Sequence, residues 1–317
     1  MGAVILAGAQ RFEPTIGAAL AALGIDGTVA IVTAGWQERE SEDEELAAHL
    51  DGRTVNLRLH HRADLVFAAD AEFRAAHHER QRLLRFKQDF YRIRLEHELE
   101  ANHVIRQRTA PDDILAEEER ASLNAIRILD DYHLAQCARI HREFEEAHAP
   151  LENPYVAAQR VQIAEVLAGA QALAIAGGHV ASLLNRMRLF GVAELLTGQT
   201  VVAWSAGAMA IGTRVVLFHD EPPQGAGASE ILDAGLGLVD GVVPFPQPET
   251  RLRLDDPERV GVLAGRFAPA LCLALPARST VLLEDGQVTQ CDGALRLSPD
   301  GSVAPLVADT PTREAGR

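Results

Sequence analysis

The chain has 317 residues, enough for one large α/β domain or two modest ones with a full hydrophobic core. Its formal net charge of −15 repels nucleic-acid phosphates and anionic lipid, so no nucleic-acid or membrane-surface role is expected. An apolar share of 47% with only 5% aromatic, dominated by Ala, Leu and Val, excludes a disordered chain and suits helices packed on a sheet.

The start MGAVILAGAQ lacks a basic region and soon meets Arg11 and Glu13, so it reads as a first core strand and not a signal peptide. Residues 2–8 and 28–34 are short apolar runs with helical composition between them at 16–23, which is the order β-α-β. A Glu-rich stretch follows at 38–45, and TVNLRLHH (54–61) is a further candidate strand. No run reaches the roughly 20 apolar residues that span a bilayer. Cys137, Cys272 and Cys291 show no paired spacing, so neither a disulfide framework nor a zinc knuckle is expected, and a cytoplasmic location fits.

From 71 to 149 the texture becomes helical. Leu83, Phe86, Phe90, Ile93, His97 and Val104 fall on one helical stripe, and Ile126, Leu129, His133, Cys137, Ile140 and Phe144 on another, with Pro111 between them and Pro150 and Pro154 beyond. This predicts an inserted hairpin of two long antiparallel helices, its stripes joining two helices or two subunits of a homo-oligomer. Glu100 with His103, Asp130 with His133 and Glu145 with His148 have the spacing of di-metal bundles. Such bundles need further carboxylates from partner helices, so structural histidines are expected and no cofactor is assigned.

The α/β pattern resumes with QALAIAGG (171–178) and QTVVAWSAGAMAIG (199–212), and Asp285-Gly286 between apolar runs marks a β-hairpin over 279–290. The expected organisation is an α/β domain from 1–70 and 150–302, the 71–149 hairpin and a flexible tail from 303–317. The expected fold is α/β, a mostly parallel sheet with helices on both faces.

A serine between an apolar strand and the small residues Ala206, Gly207 and Ala208 can occupy a strained strand-to-helix turn. The N–H of Ala206 then donates to a developing oxyanion, with a second donor from Gly178 at the end of the preceding strand. The bland alternative is a serine N-cap.

AIAGGHVASLL (174–184), AWSAGAMA (203–210), GLGLVDGVV (235–243) and ARSTVLLEDGQV (277–288) together resemble the dipeptidase E and cyanophycinase family of serine peptidases. The resemblance covers most of 1–60 and 160–300. It implies a class I glutamine amidotransferase-like, flavodoxin-like fold and cleavage of small peptides or amides next to aspartate. By matching motifs, it implies Ser205 as nucleophile, Gly178 and Ala206 as oxyanion donors and Asp220 as an active-site acid. Where the family places its catalytic histidine, this chain has Gln247, which cannot take a proton. Loss of a triad base costs on the order of 10⁶-fold in rate, so ordinary triad hydrolysis is not expected. His179 and His219, standing where the family has asparagines, are candidates for a relocated base. A metal held by His179, His219 and Asp220 is chemically reasonable but is not assigned. The rivals are a hydrolase with rewired catalysis, a pseudoenzyme binding a small acidic peptide or amide, and a scaffold working through its hairpin.

Overall fold

A computed structural model describes residues 2–220 and 228–308. The predicted opening is present: β1 (Val4–Ala7), α1 (Ile16–Ala22) and β2 (Val29–Val32), with both strands buried throughout. A bent segment leads to α2 (Glu44–His49), β3 (Thr54–Asn56) and α3 (Leu59–Ala69). The strand expected over 54–61 is therefore cut to three residues. Asn56 accepts from the Arg58 N–H, and the buried Glu40 carboxylate receives the N–H groups of His60 and His61, at 2.9 Å each, so the chain turns into a helix.

The hairpin follows as α4 (Ala71–Arg106) and α5 (Asp112–His148). With 36 residues, α4 is about 54 Å long at 1.5 Å per residue. Its entry and exit are tied together. Asp70 caps α4 by accepting from Phe73 N and also accepts from the Asn153 amide at 2.9 Å, while Asn153 caps α6 (Pro154–Ala168). The α5 stripe predicted from Ile126 to Phe144 is buried. The α4 stripe is not: Phe86, Phe90 and Ile93 are 48%, 67% and 53% exposed, and the inward face runs through Phe73, His77, Arg80, Tyr91, Leu95 and Asn102. Three of those six are polar, which is why apolar periodicity points to the wrong side.

The α/β pattern continues with β4 (Ala172–Ile175), α7 (Val180–Leu189), β5 (Thr200–Trp204) and α8 (Ala206–Ile211). Then come β6 (Arg214–Leu217), β7 (Glu230–Ala234), β8 (Val242–Pro246), α9 (Pro248–Arg251), α10 (Pro257–Phe267) and β9 (Leu271–Leu275). Four strands close the chain: β10 (Thr280–Glu284), β11 (Gln287–Asp292), β12 (Leu295–Leu297) and β13 (Val303–Pro305).

The central seven-stranded sheet has the order β11-β10-β1-β5-β4-β2-β3; β1, β5, β4, β2 and β3 are parallel, and β10 and β11 antiparallel. Alternate strand residues feed opposite faces: Leu6, Val32 and Ile175 pack with Val66, Ile163 and Met187, whereas Ile5, Ile31 and Ala174 pack with Ile16, Leu20 and Leu46. Helices thus cover both faces. The hairpin turn at Asp285 and Gly286 has φ of 49° and 78°, as a two-residue turn with two left-handed residues requires. Two smaller sheets, β13-β12-β9-β8 and β6-β7, lie beside the main one. The tail expected from 303 is corrected in part: β13 pairs with β12 and Leu306 N donates to Ala294 O, because the edge of β12 offers it a ladder. The rest of that tail, 309–317, lies outside the described residues.

A buried ion pair fastens the hairpin to the domain. Arg266 of α10 and Asp130 of α5 are 3% and 1% exposed and meet through two bonds of 2.6 Å, and Tyr91 of α4 donates to Asp130 at 2.7 Å. Burial works against the Arg266 charge, yet the oxygens of Asp130 and Tyr91 raise its pKa. Removing one partner of such a pair strands the other in a dry interior. Asp130→Ala is expected to lower unfolding free energy by about 3–5 kcal/mol in urea denaturation. Arg92→Ala, at an exposed pair with Asp89, changes it by less than about 0.5 kcal/mol.

Candidate active site

Because β1, β5, β4 and β2 lie side by side and run the same way, the loops that follow them leave the sheet at one edge. Ligands of open α/β sheets bind at this edge. Here the segments Ala9–Arg11, Gly35–Trp36, Gly177–Gly178 and Ser205–Ala206, with Gln247 after β8, line a cavity of about 650 Å³.

Ser205 is the single residue between β5 and α8, with φ 51° and ψ −127°. A side-chain-bearing residue in such a region stores about 1–3 kcal/mol of strain. The serine N-cap alternative does not hold, since the hydroxyl makes no cap bond to α8; it is half-buried and bonds no group among the described residues. Two glycines make the bend possible. A Cβ on Gly177 would stand 2.7 Å from Ser205 Cβ, and one on Gly207 would stand 2.2 Å from Ile175 O. Ala206 opens α8, so its N–H has no intrahelical acceptor. Gly178, with φ 110°, lines the same cavity. The elbow and both expected oxyanion donors are therefore brought together.

Gln247 follows β8 in a left-handed conformation, φ 55°, and lines the Ser205 cavity, so the residue expected in place of a base stands on the wall of the same cavity as the serine. His219 lines the cavity too, and its Nδ1 is buried with no partner among the described residues. His179 is placed elsewhere: its Nδ1 accepts from Ser182 N at 3.2 Å as the cap of α7, and it lines a different cavity. Asp220, 9% exposed, accepts from Arg253 N and from Arg259, each at 2.8 Å, and lines a cavity next to that of Ser205. It is engaged in holding the chain around α9 and α10. His179, His219 and Asp220 do not gather, and among the described residues no three His, Cys, Asp or Glu side chains do. Of the helical pairs, Asp130 is paired with Arg266 and His103 lies 3.3 Å from Glu258.

Sequence reasoning missed the charges around the serine. Arg39 is bound by Glu42, and Arg11 lies 3.8 Å from Glu45. Arg251 has no carboxylate partner among the described residues and sits over the Phe218 ring at 5.9 Å. His49, at the end of α2, also lines the cavity. Arg251 could have been found one helical turn after Gln247; His49 carries no local signal, since only the fold brings α2 to this edge.

The chain matches no protein-family model, and no curated protein matches its sequence.

The bend depends on the missing Cβ at 177. Gly177→Ala is expected to lower unfolding free energy by about 1–3 kcal/mol. Gly212→Ala, whose Cβ would meet nothing closer than 3.6 Å, serves as the control with little change in the same urea titration.

Proposed function

We propose that the Ser205 cavity binds a small acidic peptide or amide in the manner of the dipeptidase E and cyanophycinase family, with rewired catalysis in which His219 takes the place of the missing base. The strand order around β1, β5 and β4, with the serine after β5, supports the class I glutamine amidotransferase-like reading. The single observation that carries the proposal is the strained, unbonded Ser205 in one cavity with His219.

In this mechanism Ser205 Oγ attacks the substrate carbonyl while its proton passes to His219, directly or through one water. The carbonyl oxygen becomes an oxyanion held by the N–H groups of Ala206 and Gly178. Arg251 faces the substrate carboxylate. His219 then protonates the leaving amine, and water releases the acyl group from Ser205.

A serine-directed fluorophosphonate tests this between about pH 6 and 9, the range in which imidazole titrates. Labelling is expected at Ser205, lost in Ser205→Ala and reduced about 100-fold or more in His219→Ala. Full labelling of His219→Ala excludes the relocated base. No labelling of the native chain leaves ligand binding without turnover.

The uncovered α4 stripe favours a second reading, self-association through the hairpin. Sedimentation of the full chain is expected to show an oligomer that dissociates when Phe86 and Phe90 are both changed to Glu; a monomeric native chain excludes it.

A further inference from the structure

Between the hairpin and α7 a further cavity of about 560 Å³ opens, sharing no lining residue with that of Ser205. Its walls carry four arginines, Arg80, Arg85, Arg186 and Arg188, against a single carboxylate, Asp233. That carboxylate is already committed: Arg188 reaches it at 2.6 Å and His141 at 2.7 Å. Arg80, Arg85 and Arg186 have no salt bridge among the described residues, in a chain whose net charge is −15. Burial of unpaired positive charge is costly. Burial and the nearby Arg188 push Arg80 down, to about 10, against the opposing pull of Asp233 and Glu145, and burial lowers Arg186 against that of Asp64 and Glu40.

The unpartnered polar atoms concentrate here. Arg80 Nε, Arg186 Nε, His77 Nδ1 and Gln88 Oε1 are buried without a partner among the described residues, and all four residues line this cavity. Arg80 is 7% exposed and His77 is 2% exposed. Arg80 lies 4.2 Å from the centre of the Phe144 ring and Arg186 5.5 Å from that of Phe67, which fixes the guanidinium positions while the Nε of each stays unbonded among the described residues. The other two atoms are acceptors. Asn185 Oδ1 receives Arg186 Nη1, so it is also the acceptor for His77 Nε2–H at 2.9 Å, and His77 Nδ1 keeps its lone pair. Gln88 donates its amide to Glu230, leaving Oε1 to accept.

We propose that this cavity binds a small phosphorylated molecule that also carries hydroxyl groups, of the sugar phosphate class. Arg80, Arg85 and Arg186 hold the phosphate, whose oxygens match the guanidinium fork. His77 and Gln88 accept from the hydroxyls. The cavity volume lies within the range of small-molecule sites, about 300–1,000 Å³.

Calorimetric titration of the full chain with ribose phosphate, inorganic phosphate, ribose and malate tests the assignment. Ribose phosphate is expected to bind at one site, inorganic phosphate more weakly, and ribose not at all. Arg85→Gln, at an exposed position, and Arg186→Met each weaken ribose phosphate by about tenfold or more. Arg80→Met abolishes binding and raises the melting temperature of the free protein, because an unpaired buried charge is gone; a merely structural arginine would lower it. Absence of binding by both phosphates, malate binding as tightly as ribose phosphate, or unchanged affinity in Arg85→Gln and Arg186→Met overturns the proposal.

Discussion

The candidate active site depends on one reversal of the chain. Between the last residue of β5 and the first of α8 a single residue, Ser205, turns the backbone through a conformation that side-chain-bearing residues avoid. The turn survives because its surroundings over-determine it: Trp204 is 6% exposed, every residue of α8 is buried, and Gly177 and Gly207 let neighbouring backbone close in. A relaxed serine at this place would lie along the helix and cap it. The strained one presents its oxygen to a cavity, beside the first free N–H of α8.

The first turn of α7 is a wall shared by two cavities. Gly178 and Val180 face the Ser205 side, while His179, Ala181 and Ser182 face the arginine-rich side under the hairpin. The hairpin is thus more than an appendage, since α4 supplies Arg80, Arg85 and His77 to the second cavity and α5 supplies His141. The Asp130–Arg266 pair sets how the two helices sit on the domain, and a shared apolar cluster of Tyr91, Leu95, Ile126 and Leu129 with Phe245 and Phe267 completes the joint. Although the chain is acidic overall, both cavities contain arginines without carboxylate partners among the described residues.

Much of this was legible in the sequence where local chemistry decides the outcome. The β-α-β opening, the two glycine turns, the Asp-Gly hairpin and the Ser205 bend follow from residue types that few other conformations suit. Gln247, singled out in the loop after β8, lines the Ser205 cavity. What failed did so through tertiary context. The inward face of α4 carries His77 against the Asn185 amide, Arg80 over the Phe144 ring and Asn102 between the Ser122 hydroxyl and Arg106, so an apolar stripe led to the solvent side. His179, one of two candidates for a relocated base, caps α7 and lines a cavity other than that of Ser205, because an imidazole nitrogen can replace the usual hydroxyl or carboxylate in bonding Ser182 N. Asp220, which the resemblance implies as an active-site acid, accepts from Arg253 N and Arg259, contacts that only the fold reveals. The second cavity had no signature, since Arg80 and Arg186 are 106 positions apart in the chain.

A crystal structure of the protein soaked with a boronic-acid analogue of an aspartyl dipeptide tests the central claim most directly. The account predicts boron bonded to Ser205 Oγ, one boronate oxygen within hydrogen-bond reach of the Ala206 and Gly178 N–H groups, and Gln247 beside it. A serine side chain turned into the sheet, or a boronate bound away from those two amides, contradicts it.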